Sequence, residues 1–83
     1  MIFKRLLSSL SKVYAAYQAI ESDTDLRKNN LTLADYNAFP VVFEKLQRES
    51  KAKCVSESLA RFFEKYGFAV NLNGMNYEIH FGE

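Results

Sequence analysis

Two side chains have the chemistry of a general base, a nucleophile or a soft metal ligand: His80, the one histidine, and Cys54, the one cysteine. Nucleophilic catalysis needs such groups within hydrogen-bond reach, with a third group to orient the base. His80 and Cys54 stand far apart in the chain, and no pair of carboxylates has a spacing that singles it out for acid–base work. A zinc site takes about three or four ligands from Cys, His and acids. Cys54 and His80 alone do not make one. Glycine occurs only at 67, 74 and 82, so the phosphate-cradling patterns GxxxxGK[ST] and GxGxxG are absent. These residues point away from an enzyme, and no cofactor or metal is expected. Cys54 is expected as a small, partly buried apolar residue. His80 is expected in solvent, on the exposed face of a hairpin.

Binding remains, and two clusters could carry it. Lys45, Arg48, Lys51 and Lys53 crowd one inter-helix turn, with Glu44 and Glu49 among them. A helix end attracts cations through its dipole, so a solvated terminus explains this cluster as well as a binding site does. The second cluster is the polar face of a C-terminal hairpin, with Asn71, Asn76, Glu78 and His80. Tyr14, Tyr17 or Tyr36 would add to it if exposed. Asn and Tyr suit adaptable contacts with protein.

The elements that position these residues follow from periodicity. Phe3, Leu6, Leu10, Val13, Tyr17 and Ile20 recur in steps of three and four, an a/d seam broadened by Leu7, Tyr14 and Ala16. So broad a stripe predicts a helix facing its own core, with a homodimer through residues 3–20 as the main alternative and a membrane-surface helix as a lesser one. Lys4, Ser8, Ser11, Lys12 and Gln18 fall on the opposite face. Residues 21–31 lose the period and read as a connection, with Asn29-Asn30 suited to a left-handed helix exit. Thr32 and Asp35 form a capping box for a short helix. Pro40 is expected to end that helix or begin the next. Phe39, Val42, Phe43 and Leu46 then share one face. "RESKAKCVSES" is a polar break, and Ser50 or Ser56 could cap the helix after it. Val55, Leu59, Phe62, Phe63 and Tyr66 make the apolar face of that helix. Gly67 suits its left-handed end, and Phe68 can fold back on Phe62 or Phe63.

In "FAVNLNGMNYEIHF", Asn73-Gly74 predicts a type I′ hairpin loop. Its pairs would be Leu72 with Met75, Asn71 with Asn76, Val70 with Tyr77 and Phe68 with Ile79. Phe68, Val70, Leu72, Met75, Tyr77, Ile79 and Phe81 then share one face, and Ala69, Asn71, Asn76, Glu78 and His80 the other. A one-residue slip would mix the faces. The expectation is a mainly α, α+β fold: three to four helices with a C-terminal two-stranded antiparallel hairpin packed on them.

A chain of 83 residues is one domain, 1–83. With 48% apolar residues it can build a single core, and no disorder signature is present. The net charge of +1 argues mildly against a dedicated nucleic-acid binder, which depends on phosphate contacts. One cysteine rules out an internal disulfide and favours a reducing, cytoplasmic setting. The N-terminal segment, basic and free of acids until Glu21, has the composition of a transit peptide, but it is read as part of the mature fold. Its apolar runs are too short to span a membrane.

"VSESLARFFEKYGFAVNLNGMNYEIHF", residues 55–81, resembles the last helix and wing of winged-helix domains. There a periodic helix ends at Gly, and a hairpin closes on an apolar strand. That family's helix enters the major groove, and its wing touches the DNA backbone. The resemblance implies Glu57, Ser58, Arg61 and Lys65 on a reading helix, with Asn71, Asn73 and Asn76 on the wing. The helix departs from the pattern in pairing Arg61 and Lys65 with Glu57 and Glu64, and the wing in lacking Lys and Arg. Many winged-helix folds bind protein instead. The expected function is a non-catalytic regulator or inhibitor acting through a protein partner, of the kind phages and mobile elements encode. The alternative is a winged-helix-like DNA-binding regulator using Ser58, Arg61, Lys65 and Asn73.

Overall fold

Three helix starts are set by hydroxyl side chains in a computed structural model that describes the backbone of residues 2–80 and the side chains of residues 9–80. Ser22 Oγ accepts the Asp25 N–H and opens α2 (Asp23–Lys28). Thr32 Oγ1 accepts the Asp35 N–H at 3.1 Å while Asp35 accepts the Thr32 N–H at 3.0 Å, the reciprocal capping box that opens α3 (Leu33–Glu49). Ser56 Oγ accepts the Leu59 N–H and opens α4 (Glu57–Glu64). Asn30 (φ 57), Ser50 (φ 63) and Gly67 (φ 100) take the left-handed conformation just past the helix ends. Phe68 folds back as expected, its ring edge-on to Phe63 at 5.3 Å.

The remaining elements are α1 (Ile2–Gln18), β1 (Lys51–Val55), β2 (Ala69–Asn73) and β3 (Asn76–His80). The class is α+β: among the described residues, four helices and a three-stranded antiparallel sheet of order β1-β3-β2. One sheet face and the apolar face of α4 close the core, with Ala52, Val55, Leu59, Phe62, Phe63, Phe68 and Ile79 buried. Phe39 and Leu46 of α3 and Val13 of α1 complete it.

Five expectations are corrected. The antiparallel hairpin forms, but the sheet has three strands and not two, because "KAKCV" adds β1 to the outside of β3. Residues 21–31 are not all connection, because α2 forms within them. Pro40 is no boundary: α3 runs through it as one helix. The turn is Gly74-Met75, not Asn73-Gly74, and the pairs are Asn73 with Asn76, Leu72 with Tyr77, Asn71 with Glu78 and Val70 with Ile79. Gly74 has φ 67 and Met75 is not left-handed, which fits the glycine-first type II′ loop. Each pairing differs from the expected one by two positions, so the faces keep their composition. Met75, however, moves into the turn, and both Met75 and Leu72 lie exposed. Cys54, finally, is exposed rather than partly buried. Phe3, Leu6 and Leu7 of the α1 stripe, Lys4 and Ser8 opposite it, and Phe81 of the hairpin lie outside the residues whose side chains are described.

Candidate functional site

Lys51 and Lys53 of the basic cluster share one surface with the polar face of the hairpin. The central strand β3 joins them. Lys51 of β1 pairs with His80, and His80 pairs on its other side with Ala69 of β2. Directly paired residues point to the same sheet face. Asn71 lies opposite Glu78, and Asn73 opposite Asn76. Lys53 reaches Glu78 with Nζ 4.0 Å from Oε2. Lys51, Lys53, Asn71, Asn73, Asn76, Glu78 and His80 therefore all project away from the core.

Lys53 continues the register of Lys51 and Ala52 towards Glu78, and a bulge follows it. Between Ala52↔Ile79 and Val55↔Tyr77, β1 has one more residue than β3. Cys54 takes the left-handed conformation there, at φ 61, with its thiol exposed. The alternation resumes at Val55, which is buried.

Glu78 is the centre of this face. Its side chain is only 14% exposed. His80 Nε2 is 3.1 Å from Oε1, and the Asn73 amide donates to Oε2 at 3.4 Å. The hydrogen bond with His80 chiefly holds the Glu78 carboxyl below its ordinary range. Partial burial opposes this, and Asn73, the charge of His80 and Lys53 reinforce it. His80 is thus half-buried and engaged, not in open solvent as the sequence suggests. Held in this way, the face offers a fixed carboxylate, a ring nitrogen, amides and two ammonium groups.

Lys45 and Arg48 lie exposed on α3, outside this sheet face. Arg48 sits 3.6 Å from Glu49 and 4.0 Å from Glu44, exposed pairs that contribute little to stability. Of the residues the winged-helix resemblance singles out, Ser58, Arg61 and Lys65 line an open groove of about 450 Å³ with Asn29, Asn30, Glu57 and Phe62. Arg61 Nη1 is 3.0 Å from Glu64, its Nε is 4.0 Å from Glu57, and its guanidinium lies over the Tyr77 ring. Lys65 leans on Phe62. Ser58 donates to Asp35 Oδ2 at 2.5 Å. Asn73 belongs to the Glu78 cluster.

Asp35 was legible as a capping residue only, and its larger role was not. The side chain is 4% exposed and ties two helix starts together. Ser56 donates to Oδ1 at 2.6 Å, while Ser58 and the Thr32 N–H donate to Oδ2. Burial acts to raise its pKa, but these hydrogen bonds from Ser56, Ser58 and Thr32 prevail, and the net shift is downward. All of its partners lie within the fold, which marks it as a structural junction.

Among the described residues, no group of three or more His, Cys, Asp or Glu is arranged to hold a metal ion. No described helix is long and apolar enough to cross a membrane. Comparison with protein-family models, with curated proteins and with solved structures found no match.

Proposed function

We propose that this chain is a small non-catalytic regulatory or inhibitory protein, and that the polar face of its sheet is where it contacts a protein partner. The observation that carries the reading is the Glu78 cluster. A carboxylate held by Lys53, Asn73 and His80 on a central strand is a pre-ordered group of mixed charge. Pre-ordered side chains lose little freedom on binding, which favours affinity. Donors and acceptors of both charges suit the polar and charged groups of a protein surface. A phosphate backbone would meet a carboxylate at the centre of the face, an arrangement that opposes binding.

The test is a pull-down from the native host cell, read by mass spectrometry, with wild type and two face variants. Asn71→Arg and Glu78→Lys change the face while leaving the buried side intact. A partner retained in stoichiometric amount by wild type and lost by both variants supports the reading, provided their thermal midpoints stay near wild type. A partner that both variants hold equally well places the contact elsewhere. Titration with random duplex DNA at low salt is the counter-test. Binding that falls steeply with added salt would favour the DNA-binding reading through Ser58, Arg61, Lys65 and Asn73.

A further inference from the structure

The sheet order β1-β3-β2 leaves two edges, and they differ. An open strand edge presents unpaired N–H and C=O groups, and proteins protect it with charge, proline or a bulge. The β1 edge has such protection: Lys51, Lys53 and the bulge at Cys54. The β2 edge has none. "AVNLN" carries no charge and no proline, and its register with β3 is unbroken. The two most exposed large apolar side chains among the described residues, Met75 at 95% and Leu72 at 63%, lie at this end of the hairpin.

The turn determines which backbone groups point outward. The Gly74-Met75 loop makes Asn73 and Asn76 the closing pair, joined by backbone hydrogen bonds. Bonded and non-bonded pairs alternate along an antiparallel ladder. Asn71 and Ala69 therefore spend their backbone groups on β3, while Val70 and Leu72 present theirs to the open edge.

We propose that the β2 edge pairs with the β2 edge of a second copy of this chain, antiparallel about Asn71. In that register Asn71 faces its own counterpart, Val70 faces Leu72 of the second copy, and Ala69 faces Asn73 of the second copy. Val70 and Leu72 are the residues with free backbone groups, so each exchanges both bonds across the seam. The sides match as well. Val70 and Leu72 stand symmetrically about Asn71, so the apolar row continues across the axis and exposed Leu72 gains an apolar neighbour. The polar row does the same with Ala69, Asn71 and Asn73. The choice of a second copy over a foreign strand rests on this symmetry and on charge. A strand with no charge has nothing to repel its own copy, whereas two β1 edges would set lysines against lysines. The net charge of +1 adds little repulsion between whole chains. The product is one continuous sheet whose two polar faces lie side by side.

Sedimentation equilibrium tests this with wild type, Asn71→Lys, Asn71→Glu and an equimolar mixture of the two variants. Wild type is expected to reach the mass of two chains as concentration rises. Each variant alone should stay at the mass of one chain, because like charges meet at the axis. The mixture should regain the two-chain mass, because Lys then faces Glu. Leu72→Pro removes an outward N–H that β3 does not use, and it should abolish pairing with the circular dichroism spectrum retained. A wild type that stays at the mass of one chain at every concentration overturns the proposal. So does a dimer that persists in Asn71→Lys, which would place the seam elsewhere, α1 included.

Discussion

Pro40 sits inside α3, where its ring lacks the N–H that would bond to the carbonyl of Tyr36. That carbonyl is not left without a donor. The hydroxyl of Tyr17, from α1, donates to it at 3.4 Å. A proline that would ordinarily end a helix is thereby accommodated by a side chain from another one. Pro40→Ala should restore the intrahelical bond and raise stability by about 1–2 kcal/mol, after allowing for the greater freedom of the unfolded chain. Tyr17→Phe should lower it by about 1 kcal/mol in the wild type and by clearly less in Pro40→Ala. A double-mutant cycle in urea reads this, and additive effects would show that the hydroxyl does not serve that carbonyl. Asp35 acts at the same scale. Removing its charge in Asp35→Asn leaves the Ser56 and Ser58 hydroxyls and the Thr32 N–H poorly matched, at a loss of about 2–3 kcal/mol near neutral pH. Its folded pKa lies below the ordinary aspartate value. The stabilisation is therefore complete above the ordinary range and is lost as pH falls from there through the lowered folded value. The acid limb of the urea midpoint plotted against pH should be shallower in Asp35→Asn. An equally steep limb would assign the acid sensitivity to other carboxylates.

Turn and bulge decide how the strands meet. Gly74 is the residue with positive φ in the hairpin loop, and Asn73 lies in regular strand. Gly74→Ala should cost about 1–2 kcal/mol, since a Cβ disfavours that conformation. Asn73→Ala should cost under about 0.5 kcal/mol, because the position requires no unusual backbone and its bond to Glu78 is exposed. Equal losses in thermal melts would instead indicate the Asn73-Gly74 loop. Features set within one turn of chain were legible in the sequence. Asn30, Thr32 with Asp35, and Gly67 were marked by local chemistry as helix boundaries, and Ser56 was one of two candidate caps with Ser50. The apolar faces of α3 and α4 were legible through their period. The strand β1 was not. Its buried residues, Ala52 and Val55, are three apart because the bulge inserts one residue, so the period of two is lost. The loop was misplaced by one residue because a shift of two positions in the pairing keeps the strand residues on the same faces. The helix α2 has 6 residues, too few to display a period. The candidate face shared these limits. Asn71, Asn76, Glu78 and His80 were legible as one row, but joining Lys51 and Lys53 to them required β1.

On the scale of the molecule, aromatic rings bind α1 to the rest. Tyr17 stacks on Phe39 with ring centroids 4.0 Å apart, and Tyr14 stacks on Phe43 at 5.1 Å. Phe39 then meets Phe63 of α4 at 5.2 Å and Phe62 edge-on at 6.2 Å. Phe63 in turn meets Phe68, just ahead of the hairpin, at 5.3 Å. One ring, 1% exposed, thus links the first helix to the layer that carries the sheet. Truncating it leaves a cavity shared by α1, α3 and α4, and Phe39→Ala should cost about 3–5 kcal/mol. The loss should not fall evenly. The sheet keeps its strand pairing and its packing on Leu59 and Phe62, whereas α1 loses the ring against which Tyr17 stacks. Amide exchange, which resolves local opening from global unfolding, should show protection falling furthest in the second half of α1, at Val13 to Gln18, and least in β3. Phe63→Ala, further along the chain of rings, should reverse that order, weakening the α4–sheet layer more than α1. If the two variants lose protection in the same pattern, the core opens as one unit, and Phe39 is a packing residue like its neighbours and not the link between layers.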